Sequence, residues 1–383
     1  MTPLPQGFLA HAGNIGIKDA SPDFVVIASE TPATAAAVFT KSRFAGPSVL
    51  LSRASVSTGR LRAFAVISKN ANVANGPDGH ADAVEVATTV ANVIGVQPSE
   101  VLLASTGVIG RRYPIERVRR YLARLHWPFA TNDAEACATA IMTTDTKPKL
   151  AWAWVGKARV VGIAKGIGMI EPDMATLITL FVTDASVPNP ELDTIFRRVI
   201  DTTFNAVSID SDMSTSDTAA IMANGAAGPV DPARFESALY DVALDLTKMI
   251  ARDGEGATKL LEVLVDSARD AAQARRVAKV IVNSPLVKTA IHGADPNWGR
   301  VAAAIGQCTD DVAIDPERVV IRFGTQEVYP QRLDTEDLKV LSRYMQGEDV
   351  LIHVSLGLAS GSFTAYGCDL TADYVRINAD YTS

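Results

Sequence analysis

Three cysteines in 383 residues, Cys137, Cys308 and Cys368, are too few and too far apart for a disulfide framework or a zinc pattern, and they suit a reducing cytosol. The five histidines (His11, His80, His126, His292, His353) form no i,i+4 pair and no His-Glu-x-x-His, so neither a metal site nor a histidine-based triad is supported. No apolar run nears the roughly 18 residues needed to cross a membrane. The opening Met1-Thr-Pro-Leu-Pro has neither the basic nor the apolar region of a secretory leader. Positive charge is in deficit, and a formal net charge of −7 argues against a general nucleic-acid binder. Linkers, low-complexity tracts and repeats are also missing, so composition alone marks no domain boundary. What remains, 48% hydrophobic and 21% charged, is an ordinary globular chain, long enough for two domains or one large α/β unit.

Short Val/Ile/Phe/Ala-rich runs broken by Pro, Gly and Asn predict strands at 24–29, 35–40, 48–52 and 61–68. Helical spacing follows over 81–94, then a buried strand at 101–105, and a helix that Pro114 opens. A helical stretch near 133–142, a hairpin of strands at 150–155 and 158–163, and an apolar strand at 177–182 complete the first half. The second half repeats the alternation: helices near 189–204 and 235–251, a strand at 260–265, and helices around 283–306. Strands near 319–322 and 327–330, a helix at 338–345 and a strand at 350–355 follow. A tail, 373–383, alternates like a strand.

The chain is organised around Lys165-Gly-Ile-Gly-Met-Ile-Glu-Pro-Asp-Met-Ala-Thr176, a Gly-rich turn that leads into the 177–182 strand. Pro172 keeps Glu171 out of the α region, so this stretch is extended. If the Ala175–Thr176 bond is broken, Thr176 carries a nucleophilic hydroxyl. Its own α-amine, with a reference pKa of about 7.7–8.0, is then a base within reach. The plainer reading is a hairpin lead-in whose threonine faces a neighbour.

Other motifs admit two readings each. Thr106-Gly-Val-Ile-Gly110 is either an ordinary strand-to-helix turn or an oxyanion hole built from the Gly107 N–H and the Thr106 hydroxyl. Thr143-Thr-Asp-Thr146 before Lys-Pro is a capped turn or the polar wall of a pocket. The hydroxyl/Asp-rich run 208–217 reads as a loop, since it lacks the glycine and terminal glutamate of a calcium-binding loop. In Asp253-Gly-Glu-Gly-Ala-Thr-Lys259, flanking glycines leave the Glu255 carboxylate exposed at the mouth of a strand.

Taken in order, these motifs, with Pro296-Asn-Trp-Gly-Arg300 and Arg376-Ile-Asn-Ala-Asp-Tyr-Thr-Ser383, resemble the ornithine acetyltransferase (glutamate N-acetyltransferase) family over most of the chain. The resemblance implies an Ntn-like layered α/β fold that cleaves itself between Ala175 and Thr176. The products would be an alpha chain, residues 1–175, and a beta chain, residues 176–383, assembled as a cytoplasmic heterotetramer of two of each. It implies Thr176 as nucleophile and Thr106 and Gly107 as the oxyanion hole. Thr143, Lys165, Thr176, Glu255, Asn378 and Ser383 would line a site for N-acetylornithine and glutamate, with no cofactor, metal, nucleic acid or membrane involved. Two departures stand out. Ser383 replaces the usual final threonine. The loop after Asn72 lacks the Ala-Cys-Thr-Gly stretch of the bifunctional members, which weakens the case for acetyl-CoA and is closer to stand-alone clavulanic acid-type transferases. The other classes considered are a self-processing Ntn-type amidase or aminopeptidase, in which water takes the acyl group, and an uncut small-molecule binding protein.

Overall fold

The computed structural model describes residues 2–171, 177–331 and 333–380. The chain forms two units, Met1–Asn205 with Asp212–Leu246, and Ala206–Ser211 with Thr247–Thr382.

In the first unit the elements are β1 (Phe8–Gly13), β2 (Phe24–Phe39), α1 (Pro47–Val56), β3 (Arg60–Ile67), α2 (Gly76–Ile94), β4 (Val101–Ser105), α3 (Ile115–Leu122), α4 (Ala134–Ala140), β5 (Lys149–Val155), β6 (Ala158–Lys165), β7 (Ile178–Ser186), α5 (Asn189–Thr202) and β8 (Thr218–Pro229). The strands pair in the order β4-β3-β2-β8-β7-β6-β5, with β1 added to β2. Alternation along each strand sends side chains to opposite faces. Phe24, Val26 and Ala28 pack with α2 and α3, while Val25 and Ile27 pack with α4 and with Ile163, Leu180 and Met222 of β6, β7 and β8. The layered α/β arrangement expected from the sequence is therefore present. Every residue of β6 is buried, as is all of β7 except Ser186. At about 1.5–3 kcal/mol per fully buried large aliphatic, these strands are a fixed frame. One row across them sets Lys165 opposite Ile178, Ile178 opposite Thr218 and Thr218 opposite Phe39.

Helix α6 (Pro232–Arg252) carries the chain out of the first unit. The second unit holds β9 (Leu260–Ala268), α7 (Ala271–Val282), α8 (Pro285–His292), α9 (Trp298–Ile305), β10 (Val320–Phe323), β11 (Gln326–Tyr329), α10 (Thr335–Met345), β12 (Asp349–Ser355), β13 (Gly361–Cys368) and α11 (Ala372–Asp380). Its sheet runs β11-β10-β12-β9-β13. Leu261, Val263 and Val265 face a core shared with α7, α8 and α9.

The structure corrects four expectations. Residues 48–52 belong to helix α1, not a strand: Pro47 opens it, and Ser48, Val49, Ser52 and Ser55 make its buried face. Ser52 Oγ bridges the Leu103 N–H and C=O of β4, at 2.9 and 2.7 Å. The two strands at 24–29 and 35–40 are one strand, β2, whose first part pairs with β1 and β3 and whose last part pairs with β8. The described part of the tail is helix α11. Thr371 Oγ1 accepts from the Asp373 N–H at 3.1 Å and Asp373 pairs with Arg376, so local start signals outweigh the alternation. Strands β1, β8 and β13 and helix α7 are additional to the elements read from the sequence, although α7 carries helical spacing at Ala274, Val277, Ala278 and Ile281.

Candidate active site

Strand β4 ends at Ser105, and Thr106-Gly107-Val108 continues alongside the end of β3. Thr106 N–H donates to Ile67 O (3.1 Å), and Ala71 N–H donates to Val108 O (3.0 Å). Gly107 lies between them with φ 130°, and a Cβ there would come within 2.2 Å of the Lys69 carbonyl carbon. Only glycine fits this position. Its N–H donates to no described residue, and the Thr106 hydroxyl belongs to the residue before it.

Lys165 closes β6. It is only 5% exposed, and its Nζ stands 3.4 Å from Thr106 Oγ1. Behind it is a group the sequence reading passed over. The Asp145 carboxylate accepts from Lys149 Nζ (2.7 Å) and the Gly166 N–H (2.8 Å) through one oxygen, and from the Thr143 N–H (3.0 Å) through the other. The side chains of Asp145 and Lys149 are 0% and 2% exposed. Burial pushes the Asp145 pKa up, but the ammonium groups of Lys165 and Lys149 and the Gly166 N–H outweigh it and hold it below the ordinary carboxylate value. Thr143 and Lys165, both expected in the substrate site, are thus braced by one buried anion. The Thr143-Thr-Asp-Thr146 run is thus more than a capped turn, since its aspartate is a buried ion-pair partner.

Asp217 is the second group the sequence reading missed. It precedes β8, is 1% exposed, and its backbone carbonyl accepts from the Thr40 N–H (3.1 Å). Among the described residues neither carboxyl oxygen has a partner at full hydrogen-bond geometry, although the Thr40 hydroxyl and the Leu177 N–H stand close enough to lower its pKa. The nearby Thr40 hydroxyl already donates to Ser214 O (2.7 Å). Burial raises the Asp217 pKa well above the usual carboxylate range, and Thr40, the Leu177 N–H and Lys165 offset this only in part.

In the second unit, Glu255 Oε2 accepts from Asn378 Nδ2 at 2.9 Å, so two more expected site residues meet. The loop is pinned beneath them. Asp369 accepts from the Thr258 N–H (2.7 Å), Thr258 Oγ1 (2.6 Å) and the Lys259 N–H (2.9 Å), and Thr371 Oγ1 donates to Gly256 O (2.7 Å). The glycine after Glu255 has φ 69°, and a Cβ on it would strike the Tyr374 nitrogen of α11 at 2.6 Å. This glycine therefore serves the close approach of α11 that brings Asn378 to Glu255. Ala175, Thr176 and Ser383 lie outside the described residues.

A model of the ArgJ family matches residues 9–383. The chain is 55% identical to "Glutamate N-acetyltransferase Oat2" of Streptomyces clavuligerus, over 99% of this chain and 98% of that protein. It is 54% identical to "Arginine biosynthesis bifunctional protein ArgJ 2" of a Nostoc species, over 99% and 98%. Among solved structures, the arginine biosynthesis bifunctional protein argJ of Bacillus halodurans is 41% identical, with a TM-score of 0.48 over 52% of this chain and 96% of that one.

Proposed function

This chain belongs to the ArgJ family, the family its motifs anticipated, and on that premise we propose that it is an acyltransferase carrying the acetyl group of N2-acetyl-L-ornithine to L-glutamate. It does so after cutting itself between Ala175 and Thr176. Hydroxyl attack by Thr176 on the acetyl carbonyl forms the ester C–O bond, breaks the amide C–N bond and expels ornithine. The new α-amine takes the hydroxyl proton and returns it to the departing nitrogen. The amine of glutamate then attacks the acetyl ester, the Thr176 hydroxyl is regenerated, and N-acetylglutamate leaves.

The observation that carries this reading is Gly107, a glycine-only position that follows Thr106 in the chain and whose N–H donates to no described residue. Acetamide is a poor acyl donor, and one missing oxyanion donor typically costs about 10²–10³ in rate. The buried ammonium of Lys165, 3.4 Å from that hydroxyl, supports pairing with a substrate carboxylate. The cut falls inside one unit, between β6 and β7, which hydrogen bond to each other from Val160↔Thr183 to Lys165↔Ile178. Residues 1–175 and 176–383 are therefore expected to stay together; the heterotetramer of two of each is what the family resemblance implies.

Incubation with N-acetylornithine alone tests the transfer. Acetyl is expected to accumulate on the fragment beginning at Thr176, and added glutamate to discharge it as N-acetylglutamate, with parallel initial-rate lines. Rapid acetate release that ignores glutamate would instead make the protein a hydrolase.

Donor and acceptor differ chiefly in their tails, an ammonium against a carboxylate. In this reading Glu255 holds the ornithine ammonium. Glu255→Gln keeps the shape and removes the charge. A charge-assisted contact is worth roughly 1.5–3 kcal/mol, so kcat/KM for N-acetylornithine is expected to fall by roughly 10- to 150-fold. The half-reaction of acetylated enzyme with glutamate should lose less. Equal losses in both halves would remove the tail-reading role.

A further inference from the structure

The last stretch of β2 is a strand edge left open. Strand β3 follows it only as far as the Thr34–Arg60 pair. The next position is closed by the turn before β3, where the Ala35 N–H donates to Gly59 O (2.9 Å) and the Asn189 side chain donates to Ala35 O (2.8 Å). Along the opposite edge β8 pairs on, Ala36 opposite Ile221 and Val38 opposite Ala219, and the Thr40 N–H continues the ladder to Asp217 O (3.1 Å). In an antiparallel strand the N–H and C=O of one residue point to one edge and those of the next to the other. Thr40 faces β8, so Ala37 and Phe39 face away from it, as Ala35 does. Neither finds a hydrogen-bond partner on that side among the described residues. Natural sheets guard such an edge with proline or charge, and residues 35–39, Ala-Ala-Ala-Val-Phe, carry neither.

A groove of about 640 Å³ lies along this edge, lined by the strand itself and by residues of α1 and α5. The alanines keep its floor low. An extended segment of about four residues, at about 3.4 Å each, covers both open pairs of donors and acceptors. Lys41, Arg53 and Arg197 line the groove against one carboxylate, Asp193, which Arg197 holds at 2.8 Å. The lining thus has an excess of positive charge in a chain whose formal net charge is −7. We propose that this edge is a docking site for an extended acidic peptide of a partner protein, which adds as a strand beside residues 37–39 and sets its carboxylates among these cations. Backbone hydrogen bonds supply the affinity and the charges supply the choice. None of the groups involved belongs to the proposed transfer site, so the docking and the transfer stand or fall separately.

Fluorescence anisotropy on the full-length protein tests it, with short capped peptides of alternating Val and Glu. The Glu peptide is expected to bind, and its Lys counterpart to bind about tenfold or more weakly, because like charges then meet in the groove. The same Glu peptide N-methylated throughout keeps its charges but has no N–H to give, and is expected to lose about tenfold or more. Ala37→Pro removes one open N–H and no bond to β8, and is expected to weaken the Glu peptide likewise. If that variant does not fold, the N-methylated peptide decides the same point on the wild-type chain. Arg197→Glu, on the exposed side of α5, is expected to weaken the Glu peptide by roughly three- to tenfold and to narrow its advantage over the Lys peptide. Equal binding of the Glu and Lys peptides would overturn the proposal and leave an unselective edge. Binding that survives N-methylation would overturn strand addition in favour of surface charge alone. No binding of the Glu peptide, with a self-association in sedimentation that Ala37→Pro abolishes, would make the occupant a second copy of this chain and also overturn it. Absence of both peptide binding and self-association would do the same.

Discussion

Thr176→Ala is expected to remain a single chain of 383 residues and to lose transfer activity by about 10⁴-fold or more. The two losses have one cause. In the proposed mechanism the hydroxyl attacks the Ala175 carbonyl to make the cut, and the same hydroxyl later attacks the acetyl carbonyl of the donor. Without it neither acyl ester would form, although the proposed oxyanion donors at Thr106 and Gly107 are intact. Thr176→Ser retains the hydroxyl and is expected to be cut, with a lower rate. Intact-mass measurement reads the processing, and acetyl transfer to glutamate reads the chemistry. Substantial activity in uncut Thr176→Ala would sink the mechanism, since no N-terminal amine could then have served as base. The hydrolase alternative shares the expected loss, so this variant identifies the nucleophile and leaves the acceptor to the acetyl-discharge experiment.

How far the sequence could lead depended on what kind of contact made each feature. Glycine at position 107 was singled out for a tight turn, yet what requires it is the close approach of the Lys69 backbone at a φ of 130°. Glu255 and Asn378 were singled out as motif residues, yet their 2.9 Å contact depends on α11, which the sequence reading took for a strand. The period-2 pattern of Tyr374, Arg376 and Asn378 was real but uninformative, since α11 has no buried residue to impose a helical stripe. Strand β8 was missed for the opposite reason. Thr218-Ala-Ala-Ile-Met-Ala is a small-residue run of weak β propensity that is fully buried between β2 and β7. With β8 unread, Asp217 had no frame, and it stayed one acid in a polar loop. Lys149 was equally hidden. Nothing local distinguishes a lysine two residues after Thr-Lys from a solvated one. Its 2% exposure and its pairing with Asp145 emerge only in the fold.

That pair carries the second large expected effect. Asp145→Ala leaves the Lys149 ammonium buried without its carboxylate, and it also strips the acceptor from the Thr143 and Gly166 N–H groups. Breaking a buried ion pair from one side costs about 3–5 kcal/mol. At about 2–4 °C per kcal/mol for a unit of this size, the melting midpoint is expected to fall by roughly 6–20 °C. The sign of the pH dependence follows from the lowered pKa of Asp145. A group whose folded pKa lies below its unfolded value of about 3.9 stabilises fully above that value and loses its contribution as pH falls through the folded one. The gap between wild type and Asp145→Ala should therefore be constant across neutral pH and close only in acid below about pH 4. Asp145→Asn combined with Lys149→Met removes both charges at similar volume and should recover about 1–4 kcal/mol of the loss. Transfer should not recover with it, because Lys165 has lost its nearby anion and the Thr143 and Gly166 N–H groups now share a weaker, neutral acceptor. Stability and activity returning together in the double variant would mean that Asp145 serves the fold alone.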